Sequence, residues 1–248
     1  MATTTMANDE ELQQLLTSLK LRRIPEVLES ELAYANKKGV SYTTFLKRVL
    51  RQERDAQVTR AMEYRIKRAH LPERWSLGTY PWKKQPSLER RVVEQLAELD
   101  FVRTGDNIVF IGETGTGKTG IASALLLKAL ESGYRGLFIK AQDLFDDMYA
   151  SLADRSSRKL INRLARIDLL LIDEMGYLNL RPEQTNIFFK LMEERYGRKA
   201  TIITTNLEYE AWHDFLGNKE MVKALLDRLR HHCHTLRIDG PSLREPTR

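Results

Sequence analysis

Eight residues decide most of what this chain can fold into: Gly112-Glu113-Thr114-Gly115-Thr116-Gly117-Lys118-Thr119, a G-x-x-x-x-G-K-[ST] loop. Such a loop works only between a buried strand and the start of a helix. The flanking residues supply both, with apolar Ile108–Ile111 before it and a helical pattern from Lys118 to Glu131 after it. The glycines let backbone N–H groups turn toward phosphate oxygens. Lys118 is placed to reach terminal phosphates and the Thr119 hydroxyl to ligate Mg²⁺. All eight residues are therefore candidates to bind a nucleotide; the plainer alternative is a glycine-rich turn that holds nothing.

A second stretch, Asp168-Leu169-Leu170-Leu171-Ile172-Asp173-Glu174-Met175-Gly176-Tyr177, has four apolar residues ending in two acids. A carboxylate at the C-terminal end of a central parallel strand lies where this sheet class binds ligands. Asp173 is expected to hold Mg²⁺ and Glu174 to polarise an attacking water. The pair also fits the start of a solvated loop.

The rest of the second half alternates helices with short apolar strands. Strands are expected at Ile108–Ile111, Leu137–Lys140, Leu169–Asp173, Thr201–Thr205 and Thr235–Ile238. Helices are expected at Ser87–Leu99, Lys118–Glu131, Gln142–Leu152, Ser157–Ala165, Pro182–Arg195, Glu208–His213 and Lys219–Arg230. The strands do not alternate polar with apolar, which suits a parallel sheet buried on both faces. Residues 1–70 read as helices alone, with Pro25 opening the second and Ser41, Thr43 or Thr44 capping the third. The segment 71–86 holds Pro72, Pro81 and Pro86 with Trp75, Tyr80 and Trp82, and reads as a linker. The division is then 1–70, 71–86 and 87–248.

Two features narrow the nucleotide chemistry. The nearest match to a guanine-reading N-K-x-D is Asn218-Lys219-Glu220-Met221, which lacks the acid. The Asp-Glu pair favours water as the nucleophile, hence an ATPase using ATP and Mg²⁺. Asn206, after the strand Thr201–Thr205, is placed to sense the γ-phosphate or orient water, or to cap the next helix. Arg228, at the end of a helix, suits an arginine finger acting on a neighbouring copy, or a solvated face.

Charge is unevenly spread. The net charge is +6. Residues 40–70 carry eight basic side chains, among them Lys47, Arg48, Arg51 and Arg54, against three acids. Residues 155–166 carry five (Arg155, Arg158, Lys159, Arg163, Arg166) and no acid. Clustered cations suit phosphate contacts, although either run also reads as a solvated helix face. The single cysteine, Cys233, excludes an internal disulfide and fits a reducing cytoplasm. No apolar run approaches a membrane span, and MATTTMANDE has no secretory character. His231-His232-Cys233-His234 has the wrong spacing for structural zinc.

Taken in order, GETGTGKT, LLLIDEMGYLNL, ITTN, LLDRLRHH and the terminal GPSLR resemble the IstB-like transposition helper ATPases of IS21-type insertion sequences. SYTTFLKRVLRQE resembles their N-terminal domain. The resemblance covers nearly the whole chain. It implies an AAA+ P-loop fold: a parallel five-stranded sheet flanked by helices, preceded by a small all-α domain. It implies relatives in the helicase loader DnaC and the initiator DnaA. It also implies a helper that assembles with ATP on double-stranded DNA, deforms it, and recruits a cognate transposase, with hydrolysis driving release. It places Lys118 and Thr119 at the phosphates and Mg²⁺, Asp173 and Glu174 at metal and water, Asn206 as a sensor, Arg228 as a finger in trans, and Arg244 at a second sensor position. The helical element Gln142–Ala165, carrying Arg155, Arg158, Lys159 and Arg163, would face DNA. Two positions depart from the family: Gly120 stands where a histidine is common, and Thr205 where serine is common. A helicase loader of the DnaC kind, or an origin-recognising initiator, are the competing readings.

Overall fold

A computed structural model describes residues 10–176, 180–217 and 219–244. The chain divides into two compact units, Met1–Tyr64 and Arg65–Arg248. Residues Tyr177, Leu178 and Asn179 of the acidic motif, Asn218 of the near match, and the first nine residues lie outside the described set.

The first unit is helical: α1 (Glu10–Ser18), α2 (Arg23–Lys38) and most of α3 (Tyr42–Arg68). Its small core is Leu16, Ile24 and Val49, with Leu12, Leu21 and Phe45 packed against it. Helix α2 starts at Arg23, two residues before Pro25, because a remote carboxylate caps it. Buried Glu53 accepts the backbone N–H groups of Arg23 at 2.6 Å and Ile24 at 3.0 Å. Burial alone would raise the Glu53 pKa; these bonds and those from Arg60 and Gln57 leave it below the ordinary value. Ser41 is the residue that caps α3, its Oγ accepting the Thr44 N–H at 3.2 Å.

The second unit is built on five parallel strands: β1 (Asn107–Gly112), β2 (Gly136–Lys140), β3 (Leu169–Met175), β4 (Ala200–Thr205) and β5 (Cys233–Ile238). Their order is β2-β3-β4-β1-β5. Strand β1 sits between β4 and β5, yet the chain next builds β2 at the far edge. The loop leaving β1 therefore opens at a switch in strand order, on the C-terminal edge where ligands bind in such sheets. The helices are α4 (Arg90–Leu96), α5 (Asp100–Thr104), α6 (Lys118–Glu131), α7 (Ala141–Ala153), α8 (Ser157–Ala165), α9 (Pro182–Arg195), α10 (Trp212–Leu216) and α11 (Lys219–His231). Leu170, Ile172, Ile203, Phe145, Phe188 and Trp212 belong to one continuous core between sheet and helices.

Several local features differ from expectation, among them the helix expected over Glu208–His213, where a 3-10 turn at Tyr209–Ala211 leads into α10. The helix expected over Ser87–Leu99 is shorter and is followed by a separate α5, because buried Leu99 adopts φ +66° and breaks the helical path. Strand β3 runs on to Met175 through an irregularity: Ile172 pairs with Ile203, then Met175 with Thr205. Three steps on one strand thus match two on the other, a β-bulge. The segment 71–86 lies within the second unit, with Tyr80 and Gln85 buried. Just after α3, Ala69 O accepts the Phe138 N–H of β2 at 2.7 Å.

Candidate functional site

The phosphate loop takes the shape its glycines permit. Gly115 and Gly117 have φ +86° and +92°, a region side chains rarely tolerate. Thr116 is buried and its hydroxyl closes the loop onto Glu113 O at 2.8 Å. Lys118 folds back across the loop, its Nζ donating to Gly112 O at 2.7 Å and Glu113 O at 2.8 Å. Burial lowers the Lys118 pKa, and the charges of Asp173, Glu113 and Glu174 oppose that shift. A half-buried ammonium hydrogen-bonded, among the described residues, to two neutral carbonyls suits an incoming anion.

Asp173 is 2 % exposed at the end of β3. Its Oδ1 accepts the hydroxyls of Thr119 at 2.8 Å and Thr204 at 2.5 Å. Burial raises its pKa against those two bonds. A buried carboxylate oxygen beside a threonine hydroxyl is a hard-oxygen donor set of the kind Mg²⁺ takes, and the donors fit that ion. Thr204 was not singled out from sequence; a threonine inside a buried strand reads as core.

Glu174 sits on the bulge with φ +59°. Its N–H donates to Thr204 Oγ1 at 3.0 Å, and its carboxylate lies 3.8 Å from Lys140 Nζ. The left-handed turn points this half-exposed side chain into the cleft instead of along the strand alternation. Backbone strain of this kind concentrates at functional sites.

One cleft of about 820 Å³ gathers Lys118, Thr119, Asp173, Glu174, Asn206 and Arg244. Asn206 Oδ1 is buried with no hydrogen-bond partner among the described residues. Among the described residues it caps no helix, and an unpartnered acceptor on a residue that lines the cleft fits a bound water or hydroxyl donor. Thr205 uses its hydroxyl on Met175 O at 2.6 Å, a bond serine would also make. The departure at Gly120 has a steric partner: a β-carbon there would lie 3.1 Å from the Trp75 ring, which also lines the cleft.

Arg228 is not in this cleft. It lies on α11, pairs with Glu193 of α9 at 3.4 Å, and lines a separate cavity of about 470 Å³. Among the basic residues, Arg155 sits in the turn between α7 and α8 at φ +57°, and Arg158 and Lys159 are exposed on the first turn of α8. Arg163 pairs with Asp147 at 3.4 Å. On α3, Lys47 and Arg51 are exposed, while Arg48 is bound by Glu31 through Nε at 2.7 Å and Arg54 pairs with Asp55 at 2.7 Å. The four-residue run 231–234 diverges: His231 faces Tyr196, His232 faces Asp106, and Cys233 faces Tyr209.

The family model described as IstB-like ATP binding protein matches residues 14–248. An insertion sequence IS21 protein of Pseudomonas aeruginosa, named for ATP binding, is 36 % identical over 234 residues, covering 94 % of this chain and 88 % of its own. The corresponding IS5376 protein of Geobacillus stearothermophilus is 33 % identical over 211 residues, covering 85 % and 84 %. Among solved structures, DnaI has a TM-score of 0.58 at 19 % identity over 66 % of this chain and 91 % of that one. The DnaC helicase loader has 0.52 at 23 % over 60 % and 87 %. DnaA bound to AMPPCP and single-stranded DNA has 0.58 at 21 % over 69 % and 52 %. At these identities the three structures bear on the fold, which they share.

Proposed function

This chain belongs to the IstB-like ATP-binding family, and from that premise we propose that it is an ATP-hydrolysing, DNA-binding helper of a transposase. The observation that carries the hydrolytic part is Thr119 and Thr204 converging on buried Asp173, with Glu174 turned into the same cleft. Lys118 and the loop amides bind the β- and γ-phosphates. Thr119 and Asp173 would hold Mg²⁺, which would supply positive charge to offset that of the phosphates. Glu174 takes the proton of an attacking water that Asn206 orients. In an assembly, Arg228 reaches the γ-phosphate of the neighbouring protomer, in keeping with its place outside its own cleft.

Double-stranded DNA is bound through Arg155, Arg158, Lys159 and Arg163, and on the helical unit through Lys47, Arg48, Arg51 and Arg54. Lys47, Arg51, Arg158 and Lys159 offer the most accessible charge. Such contacts read phosphate, not sequence. A transposase is the partner class that the relatives' insertion-sequence origin supports. The helicase-loader reading rests on structures at 19–23 % identity, against 33–36 % for the insertion-sequence proteins. No helix among the described residues is long and apolar enough to cross a membrane; the cytoplasmic location proposed rests on the single cysteine, Cys233, which suits a reducing compartment.

The test is electron microscopy and sedimentation of the full chain with long duplex DNA, with and without a slowly hydrolysed ATP analogue. ATP-dependent oligomers on DNA are expected; a monomer under every condition sinks the proposal.

A further inference from the structure

Gln85 has no counterpart in the phosphate-binding machinery, yet it is fully buried. Its Nε2 donates to Pro241 O at 2.7 Å, across 156 positions of sequence. Its Oε1 has no hydrogen-bond partner among the described residues. A β-carbon on Gly240 would lie 1.8 Å from that oxygen, so the amide occupies the space where a side chain would begin. Two positions on, Ser87 Oγ accepts the Asp239 N–H at 2.9 Å.

The segment so held crosses the phosphate loop. The Leu243 N–H donates to Gly115 O at 2.8 Å. Ser242 Oγ and Leu243 Cδ1 lie 2.2 Å and 2.7 Å from where β-carbons on Gly115 and Gly117 would be. Tyr80, from the same stretch as Gln85, meets the loop from another side through Thr116 O at 3.4 Å. Arg244 follows immediately and lines the cleft with Lys118.

We propose that Gln85 is a positioning residue for nucleotide binding: its buried amide clamps residues 239–243 against the loop and thereby sets Arg244 at the cleft. An exposed arginine outside any helix or strand loses much rotational freedom when it binds a phosphate. Anchoring its backbone at Pro241 and Leu243 removes part of that cost beforehand. The carbonyl of Gly115 is also occupied by Leu243, which holds the loop in its left-handed turns.

This inference rests on the cleft being a nucleotide site, and the experiment separates the two. ATP affinity is measured with a fluorescent ATP analogue, and KM and kcat by phosphate release, for the parent, Gln85→Met, Gly240→Ala, Arg244→Ala and each double variant with Arg244→Ala. Gln85→Met removes the donor at similar length. Gly240→Ala displaces the amide from the other side of the same contact, so the test survives if Gln85→Met does not fold. Each single variant is expected to weaken ATP binding by about tenfold, the scale of one charge-assisted bond, raising KM more than it lowers kcat. In the Arg244→Ala background the further loss should vanish, because the clamp acts through that arginine. Parent-like affinity in a folded Gly240→Ala protein overturns the proposal. So does an undiminished loss in the Arg244→Ala background, or an Arg244→Ala protein that binds like the parent. A parent that binds no ATP overturns the nucleotide reading itself, and the clamp with it.

Discussion

Thr204 Oγ1 joins both acidic residues of the cleft: it donates to Asp173 Oδ1 at 2.5 Å and receives the Glu174 N–H at 3.0 Å. One hydroxyl thus fixes the carboxylate proposed to hold Mg²⁺ and the backbone turn that aims the proposed proton acceptor. Thr204→Val should deprive the buried Asp173 carboxylate and the part-buried Glu174 amide of a partner and cost about 1–3 kcal/mol in stability. Misplacing Glu174 should lower kcat by roughly 10- to 100-fold. Thr204→Ser, which keeps the hydroxyl, should stay near the parent. Chemical denaturation and steady-state phosphate release check both expectations.

Glu174→Gln keeps the shape but cannot accept a proton. ATP binding and ATP-dependent DNA binding should persist while hydrolysis falls by about 10²- to 10⁴-fold. Normal turnover by this variant would remove Glu174 from its role.

For DNA, the hairpin between α7 and α8 gives a graded expectation. Replacing Arg158 and Lys159 by alanine should weaken binding to unrelated duplexes alike and flatten the salt dependence by about one unit of log–log slope per lost contact. Arg163→Ala should cost less, since that side chain already pairs with Asp147. Unchanged affinity of the Arg158/Lys159 double variant at low salt would exclude the hairpin as the DNA surface. Fluorescence anisotropy across a salt series measures this.

Arg228→Ala breaks only an exposed pair with Glu193, worth about 0–1 kcal/mol. Thermal stability and ATP binding should hold, while the rate in the DNA-bound assembly drops by about 10³-fold or more. Mixing Arg228→Ala with Lys118→Ala protomers should restore part of the activity if the arginine serves a neighbour. No recovery at any ratio would argue against that arrangement.

At the opposite end of the sheet, Asp168 gathers Arg135 and Lys199, with Lys199 Nζ at 2.5 Å. Burial would raise its pKa, but hydrogen bonds from Arg135 and Lys199 outweigh it and hold the carboxyl well below the ordinary value. The folded state therefore favours the ionised form. The stabilisation is present above the unfolded pKa of about 4 and fades as pH falls below it. Asp168→Asn should cost about 1–3 kcal/mol near neutrality, and the gap to the parent should narrow on acidification. Denaturation at several pH values shows the trend.

Much of this was legible in the residues. Helices α6, α8 and α9 begin and end where their periodicity and end signals place them, at Lys118–Glu131, Ser157–Ala165 and Pro182–Arg195. Strands β1 and β3 were visible as short buried apolar runs, whereas β5, CHTLRI, alternates and buries only Leu236 and Ile238. What stayed hidden depends on partners distant in sequence. Glu53 caps α2 from 30 residues away, and Gln85 meets Pro241 across 156. The bulge at Glu174 depends on the register against β4, which a strand read alone does not contain. Thr204 looks like any β-branched residue until Asp173 is seen opposite it. Gly120 reads in sequence as a mere departure, because the Trp75 ring that leaves little room for a β-carbon there is 45 positions away.

The bond from the Phe138 N–H to Ala69 O has a practical side. Strand β2 is an outer strand of the sheet, and Ala69 satisfies one of the donors on its open flank. A shortened protein beginning at residue 71 would bare that donor to water, leaving a sticky seam where a foreign strand can add itself. Expression of the ATP-binding half alone is therefore best started upstream of Ala69, and clumping of the shorter version should not be mistaken for nucleotide-driven assembly.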